Sequence, residues 1–427
     1  MCDSWVRLTS VLIEHFRSVA HGELSLVNRR RVHSASVLGL CGQNGSGKTA
    51  LIAALRVLQQ ILSRHSVDEN LTEYIQAGER CARLSFDFCV RFDSGEVPVS
   101  YEFKIFRRLR LSTDAPDDEA EQGETVNPVI QDEKLYAALP EKNGGLRRTL
   151  LIDTSGNPFI PVSKYRQLIG RSPEARANLT VAKKLAEERR LSFIWSPALL
   201  EQIKQRMGSS PEALPLSEQV CKILQRLNLY GTAQLFVFGP AAGMPKHLDV
   251  LPLRMKYESS QEHTAPFGSV PLTLNGPALL PEPMFLSVQR NVHQISLVLE
   301  KLIPGLEIQL KDLGNELSSA GQMLKRVELV SVKNRTPIPL RYESEGIRKI
   351  IAVLPLLIGV YNRKSVTAAV DNLDSGIFEY LLGELLRIIS EQGRGQLIFT
   401  SHNFRPLETL DKGSVAFTTA NPLNCQY

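Results

Sequence analysis

The segment Gly42-Gln43-Asn44-Gly45-Ser46-Gly47-Lys48-Thr49 constrains this chain more than any other stretch. It fits the spacing G-x-x-x-x-G-K-[ST] without a mismatch. Its surroundings are those the spacing needs, an apolar run from Ser36 to Leu40 before it and a helical pattern from Ala50 to Leu62 after it. Each residue type has a physical task. Glycines let the backbone curl until successive N–H groups converge, and the start of the following helix adds partial positive charge, so the loop is a cradle for phosphate oxygens. Lys48 brings a full charge to the β- and γ-phosphates, and the Thr49 hydroxyl is a ligand for Mg2+. Gly42, Asn44, Gly45, Ser46, Gly47, Lys48 and Thr49 are therefore the expected nucleotide-binding residues.

Such a loop needs a carboxylate at the end of a neighbouring strand to hold the metal through water. Ala368-Ala369-Val370-Asp371 is an apolar strand ending in Asp, and Asp371 is the candidate metal residue beside Thr49. The implied cofactors are ATP and Mg2+.

Strands and helices alternate in both terminal thirds, which predicts an α/β fold interrupted by a helical insertion. Strands are expected at Val6 to Phe16, Gly22 to Leu26, Leu306 to Leu313, Arg326 to Lys333, Val366 to Val370 and Gln396 to Thr400. A basic turn, Asn28 to Arg31, follows the second of these. Residues 82–90 and 97–106 alternate around Asp93-Ser94-Gly95 and predict an antiparallel hairpin. The acidic stretch Asp114 to Glu124 reads as a solvated loop. From about 165 to 300 the pattern is mostly helical, with Phe193, Trp195, Leu199 and Leu200 as core residues and an apolar stripe over Leu286 to Leu302. The expected domains are 1–164, 165–285 (mainly helical) and 286–427.

Composition removes several function classes. With 43% apolar and 22% charged residues, the 427-residue chain is an ordinary globular protein and not a disordered or fibrous one. A net charge of +5 permits contact with DNA or RNA only through a local patch. Arg107-Arg108-Leu109-Arg110 is one candidate; Ala182 to Arg190 is the other, and it reads as a solvated helix face. The longest apolar run, Ile350 to Tyr361, is far short of the roughly twenty residues a membrane span needs. Six scattered cysteines without a Cys-x-x-Cys pair exclude a disulfide framework and a zinc site. With no basic and apolar leader at the start, the expected compartment is the cytoplasm.

Three further segments narrow the reading: Glu343-Ser344-Glu345-Gly346 before an apolar helix, Asp371-Asn372-Leu373-Asp374-Ser375-Gly376 after a strand, and Thr400-Ser401-His402-Asn403 closing the last strand. Together with Gly42 to Thr49 and the opening Glu14-His15-Phe16-Arg17-Ser18, they resemble the ABC/SMC-type ATPase head, a P-loop fold with an antiparallel β lobe. More narrowly, they resemble the OLD- and RecF-like AAA-type ATP-binding proteins of bacteria, many of which belong to phage-defence systems. The likeness covers about residues 1–110 and 285–420. It implies that Gly42 to Thr49 is the Walker A loop, and that Ser344 and Gly346 stand for the ABC signature, with Glu343 in place of the usual leading Leu. It makes Asp371 the Walker B aspartate, Asp374-Ser375-Gly376 the D-loop and His402 the switch histidine. Arg17 falls where the family's first strand approaches the nucleotide. Gln131 is a candidate Q-loop residue.

One departure bears on catalysis. Members of that family generally place Glu directly after the Walker B aspartate as the general base, and here the position is Asn372. An amide orients a water but cannot take its proton, and loss of a positioned base costs about 10²- to 10⁴-fold in rate. Slow hydrolysis, or partial substitution by Asp374 or His402, is expected. The resemblance implies a homodimer or higher oligomer closed by ATP, and a separate effector such as a nuclease, toxin or reverse transcriptase. OLD nucleases carry a TOPRIM domain beyond the switch histidine, and the sequence after His402 is too short for one. A RecF- or SMC-like DNA-repair or chromosome-maintenance ATPase is the alternative. A transporter subunit fits poorly, because no Leu-Ser-Gly-Gly-Gln is present.

Overall fold

The computed structural model describes residues 4–27, 35–110, 125–140, 145–209, 214–239, 250–256, 267–317, 321–333 and 335–419. The turn Asn28 to Arg31 and the acidic stretch Asp114 to Glu124 lie outside these residues. The chain is a mixed α/β protein, as its alternating pattern predicts. It divides into two compact units: Met1–Val32 with Gly42–Val237 and Ala416–Tyr427, and His33–Cys41 with Phe238–Val415.

The first unit is built on a six-stranded antiparallel sheet. Its strands, in spatial order, are Val19–Ser25, Val6–Phe16, Cys81–Phe92, Gly95–Arg110, Thr125–Pro140 and Leu146–Asp153. Cys81–Phe92 alternates strictly between half-buried and buried positions until its last two residues, so Ala82, Leu84, Phe86, Phe88 and Val90 line one apolar face. The expected hairpin forms, with Phe92 opposite Gly95. Helix Lys48–Leu62 buries Leu51, Ile52, Leu55, Leu58 and Leu62 at helical spacing. Its far end is pinned by Asn228, whose Nδ2 donates to the Leu62 carbonyl at 2.7 Å. There the chain passes so close that a Cβ on Gly231 would lie 2.4 Å from Leu62 Cβ. Trp195 and Phe193 are core residues, as expected.

The second unit has a parallel layer. Gln396–Ser401 pairs with residues 36–41 on one side and with Thr367–Val370 on the other. Val370, Ala368 and Ala369 are fully buried, and so are Leu397 to Phe399. Such near-continuous apolar runs suit parallel strands covered on both faces. Helices Glu345–Asn362 and Glu379–Gln392 belong to this unit, as does an antiparallel sheet of Ala278–Pro281, Met323–Lys333 and Glu307–Leu317, with Thr336–Pro339 also paired to Met323–Lys333, backed by helix Glu282–Leu302.

The stretch expected to be mostly helical is only partly so. Helices Val162–Leu168, Pro173–Glu188, Pro197–Ser209 and Leu214–Leu229 are followed by strands Leu235–Phe238, Val250–Lys256, Phe267–Thr273 and Ala278–Pro281. The last helix of the stretch, Glu282–Leu302, comes after them. Short segments of four to seven residues carry too little periodicity to separate a strand from a helical turn. Cross-strand pairing decided them. No helix among the described residues is long and apolar enough to cross a membrane.

Candidate nucleotide site

Strand Ser36–Gly42 delivers the chain into the glycine-rich loop. Gly45 and Gly47 take φ of 80° and 91°, the left-handed region that side chains resist, and this bends the loop back toward its own start. Gly42 is required for a different reason. A Cβ there would stand 2.2 Å from the Thr418 carbonyl oxygen. Ser46 is buried, and its hydroxyl bonds Thr418 Oγ1 at 2.6 Å and donates to the Gln43 carbonyl at 2.7 Å. It holds the loop in shape. Lys48 is only 5% exposed, and its Nζ donates to the carbonyls of Gly42 at 2.6 Å and Gln43 at 2.8 Å. The ammonium thus lies within the loop's own curl. Gln43, Asn44 and Gly45 are exposed and Thr49 is half-buried. No side chain caps helix Lys48–Leu62 and no acid occupies its first turn, so nothing competes with an anion for the partial positive charge.

Arg17 sits in the turn between the first two strands at φ 56°. Its guanidinium lies over the Tyr74 ring, 4.6 Å from the centroid. Gln131 is inside strand Thr125–Pro140, opposite Lys104, and not in a loop. Much of the proposed basic surface is used internally. Arg107 donates to the carbonyls of Ile75 at 2.7 Å and Glu79 at 2.8 Å, and Lys183 to those of Thr154, Gly156 and Pro158.

The second unit assembles its own polar cluster at the end of strand Thr367–Val370. Asp371 is 5% exposed; its Oδ1 accepts from the Thr400 hydroxyl at 2.5 Å, while its Oδ2 is buried without a hydrogen-bond partner. A buried carboxylate oxygen left unpaired is costly, and a metal-bound water is the partner it suits. Asp371 therefore fits the metal role, as the cradle at Gly42 to Thr49 fits a polyphosphate. Asn372 follows at φ 49°. Its N–H donates to Thr400 Oγ1 at 2.7 Å, and its Oδ1 lies 3.0 Å from His402 Nε2. Asp374 Oδ2 accepts from the N–H groups of His402 at 2.9 Å and Asn403 at 2.8 Å. Asp371, Asn372 and Asp374, close in sequence, and His402, 28 positions beyond Asp374, are thus one bonded group.

Ser344 caps helix Glu345–Asn362, accepting from the Ile347 N–H at 3.4 Å, and is exposed. Gly346 meets the turn directly. A Cβ on it would lie 2.1 Å from the Gly376 carbonyl oxygen, so the helix start and the turn after strand Thr367–Val370 touch backbone to backbone. Glu343 is buried and accepts from Ser331 Oγ at 2.6 Å and Lys333 Nζ at 2.8 Å. Burial raises its pKa, but Lys333, Ser331 and the Ser344 N–H outweigh that and hold it below the usual carboxylate value.

Two members of this cluster were missed in the sequence. Thr400 lies two residues before His402 and reads as a strand residue. Lys349 is 5% exposed, and its Nζ donates to the Asn372 carbonyl. Its only sequence signal is a cation on the apolar side of a helix. Burial lowers its pKa to about 8, against the pull of Asp374, Asp371 and Glu345.

No protein-family profile matches the chain, and no curated protein matches it. Among solved structures, the chain is similar to SMC head domains. For the Smc head with an extended coiled coil bound to the C-terminal domain of ScpA, from Pyrococcus furiosus, the identity is 13% and the TM-score 0.42, over 96% of this chain and 93% of that one. The SMC head from Thermotoga maritima matches at 12% identity and a TM-score of 0.38, over 98% and 97% of the two chains. The Smc head with coiled coil and joint from Pyrococcus yayanosii matches at 10% and 0.43, over 97% and 95%. These are likenesses of layout, at identities from which no residue's role transfers.

Proposed function

We propose that this chain is a cytoplasmic ATP-binding switch ATPase of ABC/SMC type. In this reading it pairs with a second copy when it holds nucleotide and controls a separate effector in bacterial defence against phage or foreign DNA. The observation that carries the nucleotide assignment is the curled Gly42–Thr49 loop, with Lys48 held inside it and an uncapped, acid-free helix start behind it. Bound Mg2+ would supply charge neutralisation on the phosphates. Thr49 and Asp371 would hold it, the latter through its unpaired Oδ2. Lys48 binds the β/γ-phosphates, and the loop N–H groups orient them. Asn372 and His402, joined at 3.0 Å, orient the attacking water. Neither is a carboxylate base, so turnover is slow and the ATP-bound state long-lived. Ser344 and Gly346 serve the nucleotide of the second copy. The effector and the defence setting rest on the motif resemblance.

Titration calorimetry tests the core of this reading. Lys48→Ala should nearly abolish ATP binding, while Lys183→Ala, which alters a lysine bonded to loop carbonyls elsewhere, should leave it intact. Equal affinity of the Lys48 variant and the parent would overturn the reading. Co-purification with a nuclease, toxin or reverse transcriptase supports the defence setting. Hydrolysis stimulated severalfold by duplex DNA would favour a RecF- or SMC-like repair head.

A further inference from the structure

Lys349 has no part in holding nucleotide, yet it touches the residue that would orient the water. It stands on the buried side of helix Glu345–Asn362, and its ammonium donates to the backbone carbonyl of Asn372. That carbonyl also accepts from the Ser375 N–H at 3.0 Å. The Asn372 N–H is fixed on Thr400 Oγ1 at 2.7 Å, so both peptide groups around residue 372 are tied down. The restraint has work to do. At φ 49° this backbone is about 1 kcal/mol less favourable than a right-handed one, even though Asn tolerates it well. Without Lys349 the 372 carbonyl would lose one of the hydrogen bonds that hold it, and the left-handed backbone from which the Asn372 side chain reaches His402 would be held less firmly. An ammonium on a side chain only 5% exposed is expensive, and Met or Leu would fill the same space without that penalty. Filling volume therefore does not explain a lysine here.

We propose that Lys349 is a positioning residue for hydrolysis: it fixes the backbone of Asn372 so that the Asn372 amide and the His402 imidazole present one joined polar edge to the attacking water. The proposal rests on the nucleotide reading above. The competing account is that Lys349 serves only as a counter-ion that keeps Asp371 and Asp374 folded in place.

Lys349→Met, Asn372→Ala, the double variant and Lys349→Arg separate the two accounts. Lys349→Met should lower kcat for ATP at least about tenfold, in keeping with the effect of small misplacements in an active site. KM and ATP affinity should stay within about twofold, and Lys349→Arg, which keeps a donor, should recover part of the rate. In the Asn372→Ala background Lys349→Met should change kcat by less than about twofold, because the group it positions is already gone. A second readout needs no turnover. In the parent labelled with ¹⁵N-histidine, the His402 ring resonances should move in the same direction in Lys349→Met as in Asn372→Ala. If Lys349→Met fails to fold, Lys349→Gln, a shorter neutral donor, carries both comparisons. Independent multiplication of the two rate losses, or unmoved His402 resonances, would overturn the proposal. Failure of the nucleotide reading looks different: hydrolysis would then be insensitive to Lys48→Ala, while the His402 resonances would still decide whether Lys349 positions Asn372.

Discussion

Glu133 is 1% exposed and accepts four hydrogen bonds: from Tyr101 Oη at 2.6 Å, the Ser192 hydroxyl, the Phe193 N–H at 2.8 Å and the Ile194 N–H at 3.4 Å. It ties strand Thr125–Pro140 to the segment that carries Trp195 into the core. Removing the acceptor strands buried donors, so Glu133→Ala should destabilise the protein by about 3 kcal/mol, measured by urea unfolding. The pH response has a definite sign. Burial raises the Glu133 pKa and the four donors only partly offset it, so the folded state holds its proton to higher pH than the unfolded chain. The corresponding stability is fully present below the ordinary glutamate value and is lost as pH rises through the folded pKa. Glu133→Gln should remove that component from melting profiles taken upward from pH 4. An unchanged profile would mean that the group does not titrate in the fold.

At the scale of elements, the turn after strand Thr367–Val370 is the instructive case. Asn372 invites two explanations, a missing general base and a backbone geometry that favours Asn. The structure speaks to the second, since the residue sits at φ 49° with its side chain on His402; the first rests on the motif resemblance. Asn372→Glu should therefore raise steady-state ATPase by at least about tenfold, set below the usual range for a general base because Glu is strained at this φ. A parent already turning over at ordinary rates, and indifferent to this change, would show that another group is the base. The sequence placed Asp371, Asn372 and His402 correctly at strand ends, because apolar strands followed by a polar residue are a local signal. It could not place Lys349 or Thr400 beside them. Their contacts join residues 23 and 28 positions away from Asn372 and leave no local pattern.

For the whole molecule, the question is how a helix start can answer to nucleotide. Helix Glu345–Asn362 is 18 residues long and its start, at Ser344, is exposed, so its partial positive charge faces outward. Phe378 and Phe404, 74% and 63% exposed, follow the Asp371–Gly376 turn and His402 in sequence and are apolar surface that association would cover. ATP, and not ADP, should favour a twofold dimer in which Ser344 and Gly346 of one copy meet the nucleotide on Lys48 of the other. Ser344→Arg should block that dimer at the cost of a helix cap worth about 1 kcal/mol, leaving ATP binding to the monomer intact. Light scattering with ATP and with ADP, joined to cross-linking across the nucleotide site, is the measurement. ATP-dependent cross-linking undiminished by Ser344→Arg would end the trans role for this segment.

By itself the sequence determined the loop Gly42–Thr49, the strand-borne Asp371, the apolar helix beginning at Ser344 and the hairpin about Asp93-Ser94-Gly95. All are set by neighbouring residues, through glycine's backbone freedom, apolar periodicity and turn chemistry. Tertiary structure alone decided the rest. Ser46 finds Thr418 across 372 residues, Gly346 is glycine because Gly376 presses against it, and Glu343 is buried because Lys333 and Ser331 satisfy it. The strands between Leu235 and Pro281 also belong here. Each depends on a partner distant in the chain, and hydrogen-bond satisfaction in a closed interior becomes a constraint only once that partner has arrived.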